Sequence, residues 1–115
     1  MDSIQTDRLF SVLADETARE IFGLVSDSPR SAQDIHERCE TSLKTVYRRL
    51  EALEDADLVS TMTRPGEQGP YTVYVSTINE IDISIHPDSK DVDIAVQRDD
   101  DDVDQFISIW DELQE

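Results

Sequence analysis

The chain has 115 residues, 37% of them apolar, and a formal net charge of −17. That length favours one domain with one compact core. No run approaches the ~20 apolar residues that a membrane span requires, so a bilayer-crossing protein is not expected.

In chain order, Asp7 to Leu13 reads as a short helix, with Leu9, Phe10, Val12 and Leu13 apolar. Asp15 and Glu16 open a second helix, since acids are favoured at a helix N-terminus. Ala18, Ile21, Phe22, Leu24 and Val25 follow at helical spacing, and Pro29 ends the element because the residue before a proline avoids helical geometry. Ser31, with Asp34 three residues later, resembles a capping box and predicts a short helix from Ala32. Ala32, Ile35 and Cys39 point inward on it. After a break at Glu40 and Thr41, either Thr41 or Ser42 caps a longer helix that runs to about Ala56. Leu43, Val46, Leu50 and Leu53 form one apolar stripe along it. Asp57 takes the turn, and Leu58 and Val59 begin a strand.

Two hairpins are expected next. Residues 60–64 and 71–76 flank Pro65 to Pro70, whose two glycines and two prolines mark a loop. Ile81, Ile83 and Ile85 alternate, Pro87 to Lys90 turns, and Val92, Ile94 and Val96 alternate back. A last helix carries Val103, Phe106, Trp110 and Leu113, with Ile107 widening the stripe and Ile109 off it. The expected fold is therefore α+β, a winged helix-turn-helix. It has three to four N-terminal helices, a β-hairpin wing, a further hairpin and a C-terminal dimerisation helix. The expected divisions are 1–76 for the helix-turn-helix domain, 77–98 for a hairpin packed on that domain, and 99–115 for the helix.

Charge sharpens the reading. Residues 1–64 hold 13 acids and 8 bases, whereas residues 65–115 hold 14 acids and 2 bases. Disorder, nucleic-acid mimicry and life in a very salty cytoplasm all yield acidic chains. Periodic elements nearly throughout oppose disorder. The excess of aspartate (17 residues) and the presence of only two lysines, Lys44 and Lys90, favour the third, because short carboxylates hold water and cations without adding apolar stem. Against this background residues 42–49 contain Lys44, Arg48 and Arg49 and no acid. They open the second helix of the helix-turn-helix, the element that enters the major groove in such folds. With Leu43, Val46, Leu50 and Leu53 inward, a turn of ~100° per residue points Lys44, Thr45 and Arg48 outward, with Tyr47 and Arg49 on the flanks.

The segment Leu13 to Ile21 resembles the first-helix pattern of ArsR-like winged-helix regulators, and Thr41 to Val59 resembles their recognition helix and its exit. With its acidic body, the chain is similar to the small regulators of haloarchaea. The resemblance implies a dimeric transcription factor with Ser42, Lys44, Thr45, Tyr47 and Arg48 at double-stranded DNA. To these the candidate DNA contacts add Ser31, Thr41, Arg49, Arg64 and Gln68. Two departures stand out. Asp57 occupies a position where the pattern has glycine, and the wing tip offers Glu67 and Gln68 instead of an arginine, leaving Arg64 at the wing base.

The candidate dimer surface comprises Leu9, Phe10 and Leu13 with Val103, Phe106, Ile107, Ile109, Trp110 and Leu113. A symmetric pair would place two recognition helices ~34 Å apart over a palindrome. No cofactor and no metal is expected: His36 and Cys39 are only two ligands, and neither the Asp88, Asp91 and Asp93 group nor Asp99 to Asp102 has a calcium loop's glycine and terminal glutamate. No hydrolase, phosphate-loop or zinc-protease motif occurs, so an enzyme is not expected. A single cysteine permits no intrachain disulfide and, with no signal-like start, fits a cytoplasmic protein. Two rival functions remain open. One is a protein–protein adaptor of a transcription complex. The other is a regulator sensing a ligand or redox state through the second hairpin or Cys39.

Overall fold

The computed structural model describes residues 6–98. Four helices come first: α1 (Thr6–Leu13), α2 (Glu16–Asp27), α3 (Ala32–Arg38) and α4 (Leu43–Asp55). Four strands follow: β1 (Ser60–Arg64), β2 (Tyr71–Val75), β3 (Ile78–His86) and β4 (Asp91–Arg98). They form two separate antiparallel sheets, β1 with β2 and β3 with β4. The expected C-terminal helix lies outside the described residues. Among these residues no helix is long and apolar enough to cross a membrane.

Short polar side chains set the helix starts. The Asp15 carboxylate accepts from the Ala18 amide at 2.8 Å, the Ser31 hydroxyl from Asp34 at 3.1 Å, and the Ser42 hydroxyl from Thr45 at 3.1 Å. Each satisfies an amide that the first helical turn leaves orphaned. Ser42, not Thr41, is thus the cap of α4. The box expected at Ser31 is only half formed: the Asp34 carboxylate binds Arg30 and Arg38 at 3.0 and 3.2 Å, charged partners that outcompete a neutral backbone amide.

The end of α4 departs from the expected strand start. Asp57 adopts φ 63°, its amide donates to Glu54, and the Leu58 amide reaches back to the Leu53 carbonyl at 2.9 Å. This pair of bonds is a Schellman motif with aspartate in the left-handed position that glycine usually fills. Leu58 is therefore spent on closing the helix. Leu58 and Val59 are both buried ahead of β1, which starts at Ser60.

The core of the first unit is built around α4, which packs against α1, α2 and α3. Val46, Leu50 and Leu53 are essentially inaccessible, as are Ile21, Val25 and Ile35. Leu9 and Val12 bring α1 into the same core. The remaining connection was invisible in the sequence. Arg30 bridges to Tyr74 of β2 through two backbone hydrogen bonds of 3.0 and 2.7 Å. Its guanidinium binds the Leu24 carbonyl, Asp27 and Asp34. One residue thus ties the end of α2, the start of α3 and the wing sheet together.

The chain divides into two compact units, Met1–Ser76 and Thr77–Glu115. β3 and β4 direct their ladder bonds to each other, pairing Ile81 with Val96, Ile83 with Ile94 and Ile85 with Val92. Strand β3 starts three residues before the apolar alternation, at Ile78, with an irregularity between Ile78 and Glu80.

Candidate nucleic-acid interface

Helix α3, a four-residue turn and helix α4 form the helix-turn-helix. Because one stripe of α4 is locked into the core, its opposite side is fixed in orientation. Ser42, Lys44, Tyr47 and Arg48 are exposed on it, and Thr45 is half-buried. Lys44 and Arg48 lie one turn apart on the same side, and neither forms an ion pair among the described residues. Two donors are therefore displayed without internal competition. Ser42 and Thr45 are already linked, the Ser42 hydroxyl donating to Thr45 Oγ1 at 3.0 Å. That bond orients both hydroxyls at the N-terminus of α4, where amides and the helix dipole favour an anion.

Arg49 is placed differently from Arg48. It is half-buried, and its Nε lies 3.0 Å from Asp15 Oδ2. The alignment misses that of a hydrogen bond, so the pair is a charge contact tying α4 to the start of α2. The Ala18 amide and the Arg49 guanidinium hold the Asp15 carboxyl below its ordinary value against a smaller opposing effect of burial. Arg49 was expected at DNA, but its charge is turned toward its own domain. The spacing of 34 residues between the partners hides this in the sequence. Ser31 and Thr41 are half-buried, Ser31 being the cap of α3.

The wing consists of β1, β2 and the loop between them. Every residue of β1 is exposed, and Arg64 and Gln68 are exposed with no ion pair to Arg64 among the described residues. The loop is held by the Gly69 amide donating to the Gly66 carbonyl at 3.1 Å. Gly69 has φ +106°, and a Cβ at Gly66 would lie 2.9 Å from both the Gly69 oxygen and the Tyr71 ring. Both glycines are therefore required by the turn itself. Tyr74, on the inner part of the wing, has its phenol pushed up by burial and by Glu54. It stays neutral and able to donate.

Of the α1 residues expected at a dimer surface, Leu9 is 5% exposed and belongs to the domain's own core. Leu13 is half-buried, and Phe10 remains exposed. Val103 to Leu113 lie outside the described residues. Cys39 is buried, and burial together with Glu20 raises its thiol, which disfavours the reactive thiolate. Among the described residues no three His, Cys, Asp or Glu side chains gather as a metal site.

Residues 13–61 match the family model described as a helix-turn-helix domain. An ArsR-like transcriptional regulator from Rhodococcus sp. RHA1 shares 26% identity and a TM-score of 0.53 over 60% of this chain. The match spans 61% of that regulator. The reduced form of the transcriptional regulator YodB from B. subtilis is 24% identical, with a TM-score of 0.55 over 67% of this chain and 76% of its own. No curated protein matches the chain. Residues 13–61 thus match a helix-turn-helix domain, and the chain has an α+β winged helix-turn-helix fold similar to that of an ArsR-like regulator.

Proposed function

We propose that this protein is a sequence-specific DNA-binding transcription regulator that acts as a cytoplasmic homodimer, with α4 in the major groove of a palindromic operator. The observation that carries the reading is the exposed Lys44 and Arg48 on the outward side of α4, which form no ion pair among the described residues. They belong to an acid-free stretch in a chain of net charge −17. An ordinary solvated helix face in so acidic a protein would carry carboxylates. Long donors at this place reach base edges and phosphates instead. Phe10, exposed on α1, and Ile109 supply apolar surface for pairing.

The acidic body fits a protein adapted to high salt. At 1 M salt the Debye length is ~3 Å, so the carboxylates are screened from the phosphates. Hydrogen bonding and shape then supply the affinity that counterion release supplies elsewhere. Genome-wide mapping of the tagged protein tests the proposal. Enrichment at promoters sharing a palindrome is expected, and occupancy without promoter enrichment would sink it.

A further inference from the structure

The β3–β4 hairpin has two chemically opposite faces. In its register Ile81 sits across from Val96, Ile83 from Ile94 and Ile85 from Val92. Alternation puts these six side chains on one face. The other face carries the Asp82–Ala95, Ser84–Asp93 and His86–Asp91 pairs, with His86 Nε2 2.9 Å from Asp93. The polar face needs no cover. The apolar face does: Ile85 is 63% exposed, Ile83 39% and Val96 36%. Six aliphatic side chains in one patch on a two-stranded sheet are unlike the scattered apolar residues of an ordinary surface, and an isolated hairpin is only marginally stable in water.

We propose that residues 99–115 of the same chain cover this face, their stripe Val103, Phe106, Trp110 and Leu113 lying on the six aliphatic side chains to complete a ββα unit. The segment follows β4 directly, at the end where Ile81 and Val96 pair. Asp99 to Asp102 can span up to ~13 Å, against the ~10 Å that separates packed layers. A helix begun after it runs back along the hairpin. From Val103 to Leu113 such a helix rises about 15 Å, and the apolar face from Ile81 to Ile85 extends about 14 Å. Aspartates in the spacer favour the helix N-terminus. The fit leaves Ile109, off the stripe, and Phe10 of α1 for a partner subunit. This assignment does not depend on DNA binding.

Trp110 is the only tryptophan and reports its own burial. In the full-length protein its emission is expected to be blue-shifted at all protein concentrations. It should move to the position of solvated tryptophan in Ile83→Asp and Ile94→Asp, and stay unchanged in Phe10→Asp. Where an aspartate simply unfolds the hairpin, cross-linking decides. In a Cys39→Ser background, Ile94→Cys is combined in turn with Val103→Cys, Phe106→Cys and Leu113→Cys. At least one pair should give a bridge within a single chain. Solvated emission in the unaltered protein, a blue shift lost on dilution, a shift caused by Phe10→Asp, or bridges formed only between chains would each overturn the proposal.

Discussion

Helix α4 and the wing project from the same helix-turn-helix unit, yet they are built in opposite ways. Three residues of α4, Val46, Leu50 and Leu53, are at most 1% exposed, and its outward side carries Lys44 and Arg48 free of internal ion pairs among the described residues. In β1 every residue is exposed, and the loop beyond it offers Glu67 and Gln68. Rigid anchoring and displayed cations coincide on the helix, whereas the wing is anchored through β2 and its exposed β1 and loop carry Arg64 as their single cation. Sequence discrimination requires donors held in fixed positions; phosphate contacts tolerate looser ones. Under the proposed function, the contrast assigns base reading to α4 and a minor contact to the wing through Arg64.

The sharpest way to break this contrast is through the core. Leu50→Ala should destabilise the first unit by about 3–5 kcal/mol, within the range for fully buried leucines. Met62→Ala, at a site 43% exposed on the wing, should cost less than about 1 kcal/mol. Denaturant unfolding followed by helix signal distinguishes them, and similar losses would remove the difference in anchoring. Next in size is Arg30→Ala. It strands the Leu24 carbonyl and two carboxylates around a side chain only 11% exposed, and about 2–3 kcal/mol is expected in the same assay. Ser42→Ala removes the α4 cap and should cost about 1 kcal/mol.

Acidification should act through the helix starts. Arg30 and Arg38 hold the Asp34 carboxyl below its ordinary value of 3.8, and Asp15 is lowered by the Ala18 amide and Arg49. A depressed carboxylate stabilises the fold above its unfolded value, and that contribution is lost as pH falls through the folded one. Thermal midpoints should therefore drop below about pH 4, and Asp34→Asn should flatten the drop. A midpoint unaffected by that substitution across the acid range would show that the Arg30 and Arg38 contacts contribute nothing. Smallest of all, raising KCl from ~0.5 to ~2 M should change operator affinity only slightly, because the body's charge is already screened.

Much of this arrangement was readable from the chain because it is local. The three-four-three spacing of Leu43, Val46, Leu50 and Leu53 fixed which side of α4 faces inward, and Asp57 was recognisable as a left-handed turn residue. Alternation of Ile81, Ile83 and Ile85 located the second hairpin. What escaped notice depends on partners distant in sequence. The ion pair between Asp15 and Arg49 turns one candidate contact toward its own domain, and no spacing rule links residues 34 apart. The bridge between Arg30 and Tyr74 is a single-residue strand contact with no periodic signature. Leu9 fitted a free apolar side of α1 equally well, until packing against the other helices claimed it for the core.

The claim that α4, and not the wing, reads the operator has one direct test: affinity for a recovered site, titrated with two double variants in high salt. Lys44→Glu with Arg48→Glu should weaken binding by about a hundredfold or more, at 1–3 kcal/mol per lost base-reading contact, without lowering the thermal midpoint. Arg64→Ala with Gln68→Ala should stay within about threefold. Equal losses in the two variants, or a larger loss from the wing pair, would contradict the account.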